Sequence, residues 1–191
     1  MWLRRTPHAY ARLTNEIRST FSSAANMKFL DLQDLAYMNA CIDEAPRIFP
    51  PVPTGMTRSV PAGGDTVAGE PLPGGTTVSV HGWAATHSPD NFSRPDDFAP
   101  ERWIDPAFDG EAKDASQPFS LGPRGCIGKN LMYLELRLIL ANFLWHFDIE
   151  RSDLGDGAED VWDPAGDLKH ITAFNTWNKP PLMCRLIPVK R

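Results

Sequence analysis

The residues best suited to chemistry lie in one short run, Phe119-Ser-Leu-Gly122-Pro-Arg124-Gly-Cys126-Ile-Gly128, which leads straight into an apolar segment. A cysteine at the amino-terminal end of a helix sits where free backbone N–H groups and the helix dipole favour an anion, so a thiolate forms there more readily. Such a thiolate is a metal ligand. Gly122, Gly125 and Gly128 remove side chains around the sulfur and let backbone approach a flat cofactor closely. Two residues before the cysteine, Arg124 supplies a fixed positive charge suited to a carboxylate. Phe119 shields the sulfur from water and strengthens the hydrogen bonds around it.

Elements on both sides must position that run. Thr6 as a cap, Pro7 in the first turn, and Tyr10, Leu13, Ile17 and Phe21 at helical spacing predict a first helix. A second is expected over roughly Leu35 to Arg47, stopped by Pro50, Pro51 and Pro53, which lack the amide hydrogen a helix needs. From Thr54 to Val80, β-favouring residues such as Thr76 to Val80 alternate with Gly-Gly and Pro-Gly turns, predicting a small antiparallel sheet. Between Ser88 and Gly125 the chain is dense in Pro, Asp and Gly and reads as a long loop, ordered or not. The helix after Gly128, over residues 127–145, is apolar on nearly every face and is expected to be buried, while Glu135, Arg137 and His146 argue against a lipid-spanning role. Ile171 to Trp177 and Leu182 to Ile187, separated by Asn178-Lys-Pro-Pro181, are expected to close the chain as a hairpin.

Composition narrows the function classes. The chain has 191 residues, and 24 acidic against 19 basic side chains give a net charge of −5, which argues against a general nucleic-acid binder. Hydrophobic residues at 42% make wholesale disorder implausible, and 18 prolines point to extensive turns and extended loop. Cys41, Cys126 and Cys184 form no Cys-x-x-Cys pair, so zinc, a redox disulfide and covalently attached haem are not indicated. No apolar run follows the basic amino terminus and none approaches a membrane span. An intracellular chain without an anchor is expected. A cysteine-nucleophile hydrolase lacks a placed histidine base.

The spacing Phe-x-x-Gly-x-Arg-x-Cys-x-Gly resembles the haem-binding loop of the cytochrome P450 family, and Phe119, Gly122, Arg124, Cys126 and Gly128 meet all five fixed positions. Glu44 and Arg47 match the family's Glu-x-x-Arg, and three residues apart they share a helix face. Phe98-Ala-Pro100-Glu101-Arg102-Trp103 looks like the family's Pro-Glu-Arg-aromatic segment. The resemblance implies that Arg102 joins Glu44 and Arg47 in a buried triad that locks the cysteine loop. It further implies that Cys126 binds the iron of haem b as a thiolate, pushing electron density onto the metal, and that Arg58 and Arg124 reach haem propionates. A monooxygenase that inserts one oxygen atom from O2 into a small lipophilic substrate follows, with electrons from an NADPH-dependent reductase, whose acidic surface Lys129 and Arg137 would help dock. Pro50-Pro-Val-Pro-Thr54, Pro73-Gly-Gly-Thr-Thr-Val78 and Gly128-Lys-Asn-Leu131 are most similar to fungal members acting on secondary metabolites.

The fold class this implies is mixed α and β, mainly α, with residues 1–191 forming the carboxy-terminal part of one such domain. The family's distal helix, its earlier helices and the endoplasmic-reticulum anchor of full-length relatives are expected to be absent. Ala62-Gly-Gly-Asp65-Thr66 imitates the distal helix's proton-guiding segment, yet it follows Pro61 among turn signals and is read as a turn. His81, His87 and His146 are read as packed or solvent-facing rather than axial ligands. The alternative to the enzyme is a truncated, non-catalytic haem-binding fragment or a remnant that does not fold. Pro46, inside the Glu44-x-x-Arg47 turn, costs a helix interior about 3 kcal/mol, less in a final turn. Replacing Pro46→Leu is expected to raise the thermal midpoint, and an equal or lower midpoint by calorimetry would overturn that reading.

Overall fold

The computed structural model describes residues 2–151, 171–179 and 181–190. Helices α1 (Trp2–Arg5) and α2 (Pro7–Thr20) are followed by a single turn, α3 (Phe29–Leu32), and by α4 (Ala36–Ile48). Thr6 stands at the N-cap of α2 without using its side chain, and Pro7 occupies the first helical position, where its missing N–H costs nothing. Strands β1 (Arg58–Ser59), β2 (Asp65–Val67), β3 (Glu70–Leu72) and β4 (Thr77–Val78) come next. They form two separate antiparallel ribbons, β1 with β4 and β2 with β3. Ala62 to Thr66 spans a turn and the start of β2: the Gly64 N–H donates to Pro61 O at 2.9 Å, with Gly64 at φ +79°. Gly55, at φ +75°, lies so close to the chain just past β4 that a Cβ there would sit 1.8 Å from Val80 O.

After the short helix α5 (Gly82–Thr86), the segment from 88 to 125 is ordered through 3-10 turns, including Pro100–Trp103 and Gly122–Arg124. Helix α6 (Lys129–His146) then runs into β5 (Phe147–Arg151). The core forms where α2, α4 and α6 meet, with Leu13, Ile17, Met38, Ile42, Ala141 and Leu144 at 0–4% exposure. Burying such aliphatic side chains contributes about 1.5–3 kcal/mol each.

Two expectations are corrected. Helix α6 is not buried all round: Ala141, Leu144 and Trp145 face the core, whereas Leu131, Leu136 and Ile139 are 59%, 40% and 63% exposed. An apolar surface is buried only if a second layer packs over it, and no described residue covers this face. Nor do Ile171 to Trp177 and Leu182 to Ile187 pair with each other. β6 (Thr172–Ala173) turns back on β7 (Trp177–Asn178), closed by Phe174 N–H on Thr176 O, and β8 (Cys184–Pro188) pairs antiparallel with β5 instead. Pro181 has no amide hydrogen to donate to a ladder, while β5 offers β8 five consecutive partners. The hairpin packs against the end of α4, with Trp177 stacked on Phe49 at 4.5 Å and its indole N–H on Pro50 O at 2.6 Å. No helix among the described residues is long and apolar enough to cross a membrane.

Helix α2 terminates its neighbours. Leu35, the N-cap of α4, has no side chain able to cap, and Glu16 of α2 substitutes by accepting the N–H groups of Tyr37 at 2.9 Å and Met38 at 2.8 Å. At the other end of the core, Arg18 donates to Leu144 O at 2.9 Å and Phe147 O at 3.2 Å, closing the carbonyl end of α6. Both charges match the helix dipoles they meet. Replacing Glu16→Ala is expected to lower the urea unfolding free energy by about 1–2 kcal/mol, with Glu16→Gln losing less; an unchanged midpoint in the alanine variant contradicts the cap.

Candidate functional site

Glu44, Arg47 and Arg102 are all fully buried, so each charge must be answered inside the protein. Helical spacing on α4 sets Arg47 beside Glu44 in a two-pronged contact, Nε on Oε2 at 2.8 Å and Nη2 on Oε1 at 2.9 Å. Arg102 approaches from the Pro100–Trp103 turn with Nε 3.3 Å from Glu44 Oε1. Glu44 also accepts the backbone N–H of Ala99 at 3.0 Å and the indole N–H of Trp103 at 3.0 Å. Other guanidinium hydrogens hold backbone carbonyls: Arg47 those of Thr86, Pro95 and Asp97, and Arg102 those of Ser93 and Arg94. The ring of Phe92 lies 5.2 Å from Arg47 Cζ and 5.8 Å from Arg102 Cζ.

Sequence reasoning missed the fourth charge. Glu111, its side chain 7% exposed, pairs with Arg102 Nη1 and accepts the Ser93 N–H at 2.8 Å. Two buried carboxylates thus balance two buried guanidiniums. Glu111 stands in a Pro/Asp/Gly-dense stretch with no periodicity, and no local pattern marked it. Removing one member of such a network leaves a buried charge uncompensated, a cost of about 3–5 kcal/mol.

The cysteine loop hangs between this network and α6. Cys126 donates its backbone N–H to Phe119 O at 2.8 Å, and Gly125 N–H closes the Gly122–Arg124 turn on Gly122 O at 2.9 Å. Gly122 is at φ +66° and Ser120 at φ +57°, so the loop bends through left-handed backbone. No side chain caps α6, whose N-cap is Gly128. A Cβ on that glycine would lie 3.7 Å from Cys126 Sγ, so the sulfur sits at the positive end of the helix. Cys126 is exposed. Cys41 is buried, and burial together with the nearby carboxylates of Glu101, Glu16 and Glu44 pushes its thiol up, away from the thiolate.

Arg58, on β1, reaches Ser120 Oγ at 3.4 Å. Arg58 and Arg124 line one cavity of about 490 Å³ with Met56, Thr57 and Ser59. A neighbouring cavity of about 550 Å³, between the 50–58 stretch, β4 and residues 114–121, shares Met56 and Arg58. Cys126 lines neither of these two cavities. Phe119 packs on Tyr133 with ring centroids 5.7 Å apart, and Lys129 Nζ stands 5.7 Å over Phe119. Arg137 is half-buried, bonded to Asn39 Oδ1 at 2.7 Å and set over the Tyr133 ring, and so is occupied in packing α6 on α4.

Of the three histidines weighed as ligands, His81 and His87 are engaged in and around α5, and His146 is exposed. His81 Nδ1 accepts the Ala84 N–H at the start of α5, and His87 stacks on Trp83 at 3.8 Å. His146 is in the last turn of α6. Among the described residues no three His, Cys, Asp or Glu side chains gather as a metal site.

Burial raises the Glu111 carboxyl, but hydrogen bonds from Ser93 and Arg102 outweigh it and hold the group below its ordinary value of 4.5. A carboxylate lowered in the folded state contributes stability that is complete above its unfolded value and lost as pH falls through the folded one. The thermal midpoint is expected to drop as pH falls below about 4.5, and Glu111→Gln, less stable at neutral pH, should lose less over that window. Parallel profiles for the two proteins would remove Glu111 from the network.

Residues 1–160 match the family model for Cytochrome P450. Cytochrome P450 monooxygenase ABA2 of Pyricularia oryzae (strain 70-15) is 47% identical over 194 residues, which cover 98% of this chain and 36% of the relative. Cytochrome P450 monooxygenase aba2 of Botryotinia fuckeliana is 45% identical over 97% of this chain and 36% of its own length. Averantin hydroxylase of Dothistroma septosporum is 43% identical over 97% of this chain and 34% of its own. The chain spans about a third of the length of these relatives. A family match over most of the sequence, joined to the Glu44 network and the glycine-flanked Cys126 loop, shows that the chain belongs to the cytochrome P450 family.

Proposed function

We propose that residues 1–191 are the carboxy-terminal portion of one haem-thiolate monooxygenase domain, in which Cys126 is the axial ligand to the iron of haem b. The observation that carries this reading is the exposed sulfur of Cys126 on a glycine-flanked loop at the uncapped start of α6. The residues present fit the group. Gly122 faces open space, and Gly128 puts no side chain beside the sulfur, where a Cβ would lie 3.7 Å from it. Arg58 and Arg124, which line one cavity, would hold its two carboxylates by charge-assisted hydrogen bonds. Phe119 fixes the cysteine backbone through its carbonyl, while its ring packs on Tyr133. Glu44, Arg47 and Arg102 hold the segment before the loop and touch no reacting atom.

When bound, a haem-thiolate supplies insertion of one oxygen atom from O2 into a C–H bond of a small lipophilic substrate, with electrons from an NADPH-dependent reductase. The chain's own part is to present the ligand, orient the ring and limit water. The largely apolar cavity of about 550 Å³ beside Arg58, of a size for small organic molecules, supports a lipophilic substrate. Hydroxylation is what the name of the Dothistroma septosporum relative describes, and the reading extends that chemical class here without its particular substrate.

A second reading, a haem-binding portion without turnover, is favoured by the exposed apolar face of α6 at Leu131 and Ile139. One experiment addresses both: a reduced, carbon-monoxide difference spectrum of the chain expressed with a haem precursor, beside Cys126→Ser. A strongly red-shifted Soret band in the unmodified chain alone is the expected result. No band, or equal bands, would overturn the ligand assignment. Oxidation of a lipophilic probe by a chain that gives the band would reject the second reading.

A further inference from the structure

Outside the Glu44 network, one half-buried contact ties α4 to the cysteine loop by a different route. Tyr133, on α6, donates its hydroxyl to Asp43 Oδ1 at 2.6 Å, and Asp43 is the neighbour of Glu44 on α4. The same ring packs against Phe119 in a tilted contact, with centroids 5.7 Å apart and planes at 42°. Phe119 O in turn accepts the Cys126 N–H at 2.8 Å. A continuous path therefore runs from the Asp43 carboxylate through the Tyr133 hydroxyl and ring to the Phe119 ring, and from the Phe119 carbonyl to the cysteine backbone. Arg137 Cζ lies 5.2 Å over the Tyr133 ring and is itself held by Asn39, so the ring is clamped from a second side.

We propose that Tyr133 is a positioning residue for Cys126, fastening Phe119, and through it the cysteine backbone, to α4 by its hydrogen bond to Asp43. Adjacent carboxylates on one helix then hold the two flanks of the loop. Glu44 fixes the polypeptide that leads into it, through Ala99, Arg102 and Trp103. Asp43 fixes the helix that leaves it. An aromatic contact alone allows a ring to slide and tilt at little cost, whereas a short hydroxyl-to-carboxylate bond sets its depth and orientation. The surroundings keep the bond in its donor-acceptor form: burial and the Asp43 carboxylate raise the Tyr133 phenol, so its proton stays on. Burial raises the Asp43 carboxyl, against the Tyr133 bond and the charges of Arg137 and Lys129. The inference deepens the haem-thiolate reading and relies on it for the purpose of the positioning, while the coupling itself concerns only this chain's atoms.

The test is residue-resolved hydrogen exchange of the haem-free chain, comparing the Cys126 amide with the Ile17 amide in the core of α2. Tyr133→Phe keeps the ring and removes the hydroxyl, and should speed Cys126 exchange about tenfold, the factor expected for loss of one partly buried hydrogen bond to a charged acceptor, with Ile17 unchanged. Asp43→Asn retains an acceptor oxygen and should stay within about twofold of the parent, while Asp43→Ala should reproduce Tyr133→Phe. A residue that merely stabilises the whole fold would speed both amides together. Unchanged Cys126 exchange in both Tyr133→Phe and Asp43→Ala, or a rise matched at Ile17, would overturn the proposal. The exchange result stands apart from haem binding, so failure of the Soret experiment refutes the ligand assignment and leaves this coupling to be judged on its own readout.

Discussion

Glu44 is a carboxylate with no access to solvent, held between two guanidiniums that are equally buried. Desolvating such charges is expensive, and a well-packed apolar cluster of similar volume is often as stable or more so. What the arrangement provides is direction. Beyond Glu44 and Glu111, Arg47 and Arg102 donate to five backbone carbonyls between Thr86 and Asp97. A long segment without sheet partners has buried backbone groups that must be satisfied somewhere. Two guanidiniums satisfy them here, and this is how a Pro/Asp/Gly-rich stretch becomes a fixed support.

The same logic of one element completing another recurs in α2. Helices α4 and α6 carry opposite defects, one an amino terminus with no capping side chain and the other a carbonyl end running into a strand. Glu16 and Arg18 sit two residues apart on α2 and reach the two ends with the charge each requires. Apolar packing among Leu13, Ile17, Ile42 and Leu144 presses these three helices together without choosing their relative register. The ion-to-terminus contacts are directional and choose it.

What the sequence made legible follows the range of the physics. Helical periodicity and proline stops are local, and α2, α4 and α6 begin and end within a few residues of where the pattern puts them. Phe119, Gly122, Arg124, Cys126 and Gly128 were legible as a loop, and the structure folds them around a cysteine bonded back to Phe119. Glu44, Arg47 and Arg102 were legible through spacing and resemblance, and the structure gathers them. Glu111 was not, since its partner lies across a turn and its neighbours carry no periodicity. Strand β5 was overlooked although Phe147-Asp-Ile-Glu alternates apolar and polar as a half-buried strand does. With the helix expected to end at 145 and no element expected over residues 147–151, the Leu182 to Ile187 strand is given the wrong neighbour. The open face of α6 was invisible for another reason: apolar composition says what a surface prefers, and only the packing says what covers it.

The exposed sulfur is the counterpart of all this fastening. Ser120 adopts a left-handed backbone that costs a non-glycine residue about 1 kcal/mol or more, and such strain persists only where the surroundings over-determine it. The surroundings here are Arg58 on the Ser120 hydroxyl, the Phe119 carbonyl on the Cys126 amide, the Gly122–Arg124 turn and the first turn of α6. All of them grip the loop by its backbone or its edges, and the glycines on either side of Cys126 cover nothing. A cysteine held by packing around its own side chain would be fixed and shielded at once, as Cys41 is. Holding the backbone instead separates the two, so that a loop can be rigid while its one reactive atom stays open to a ligand.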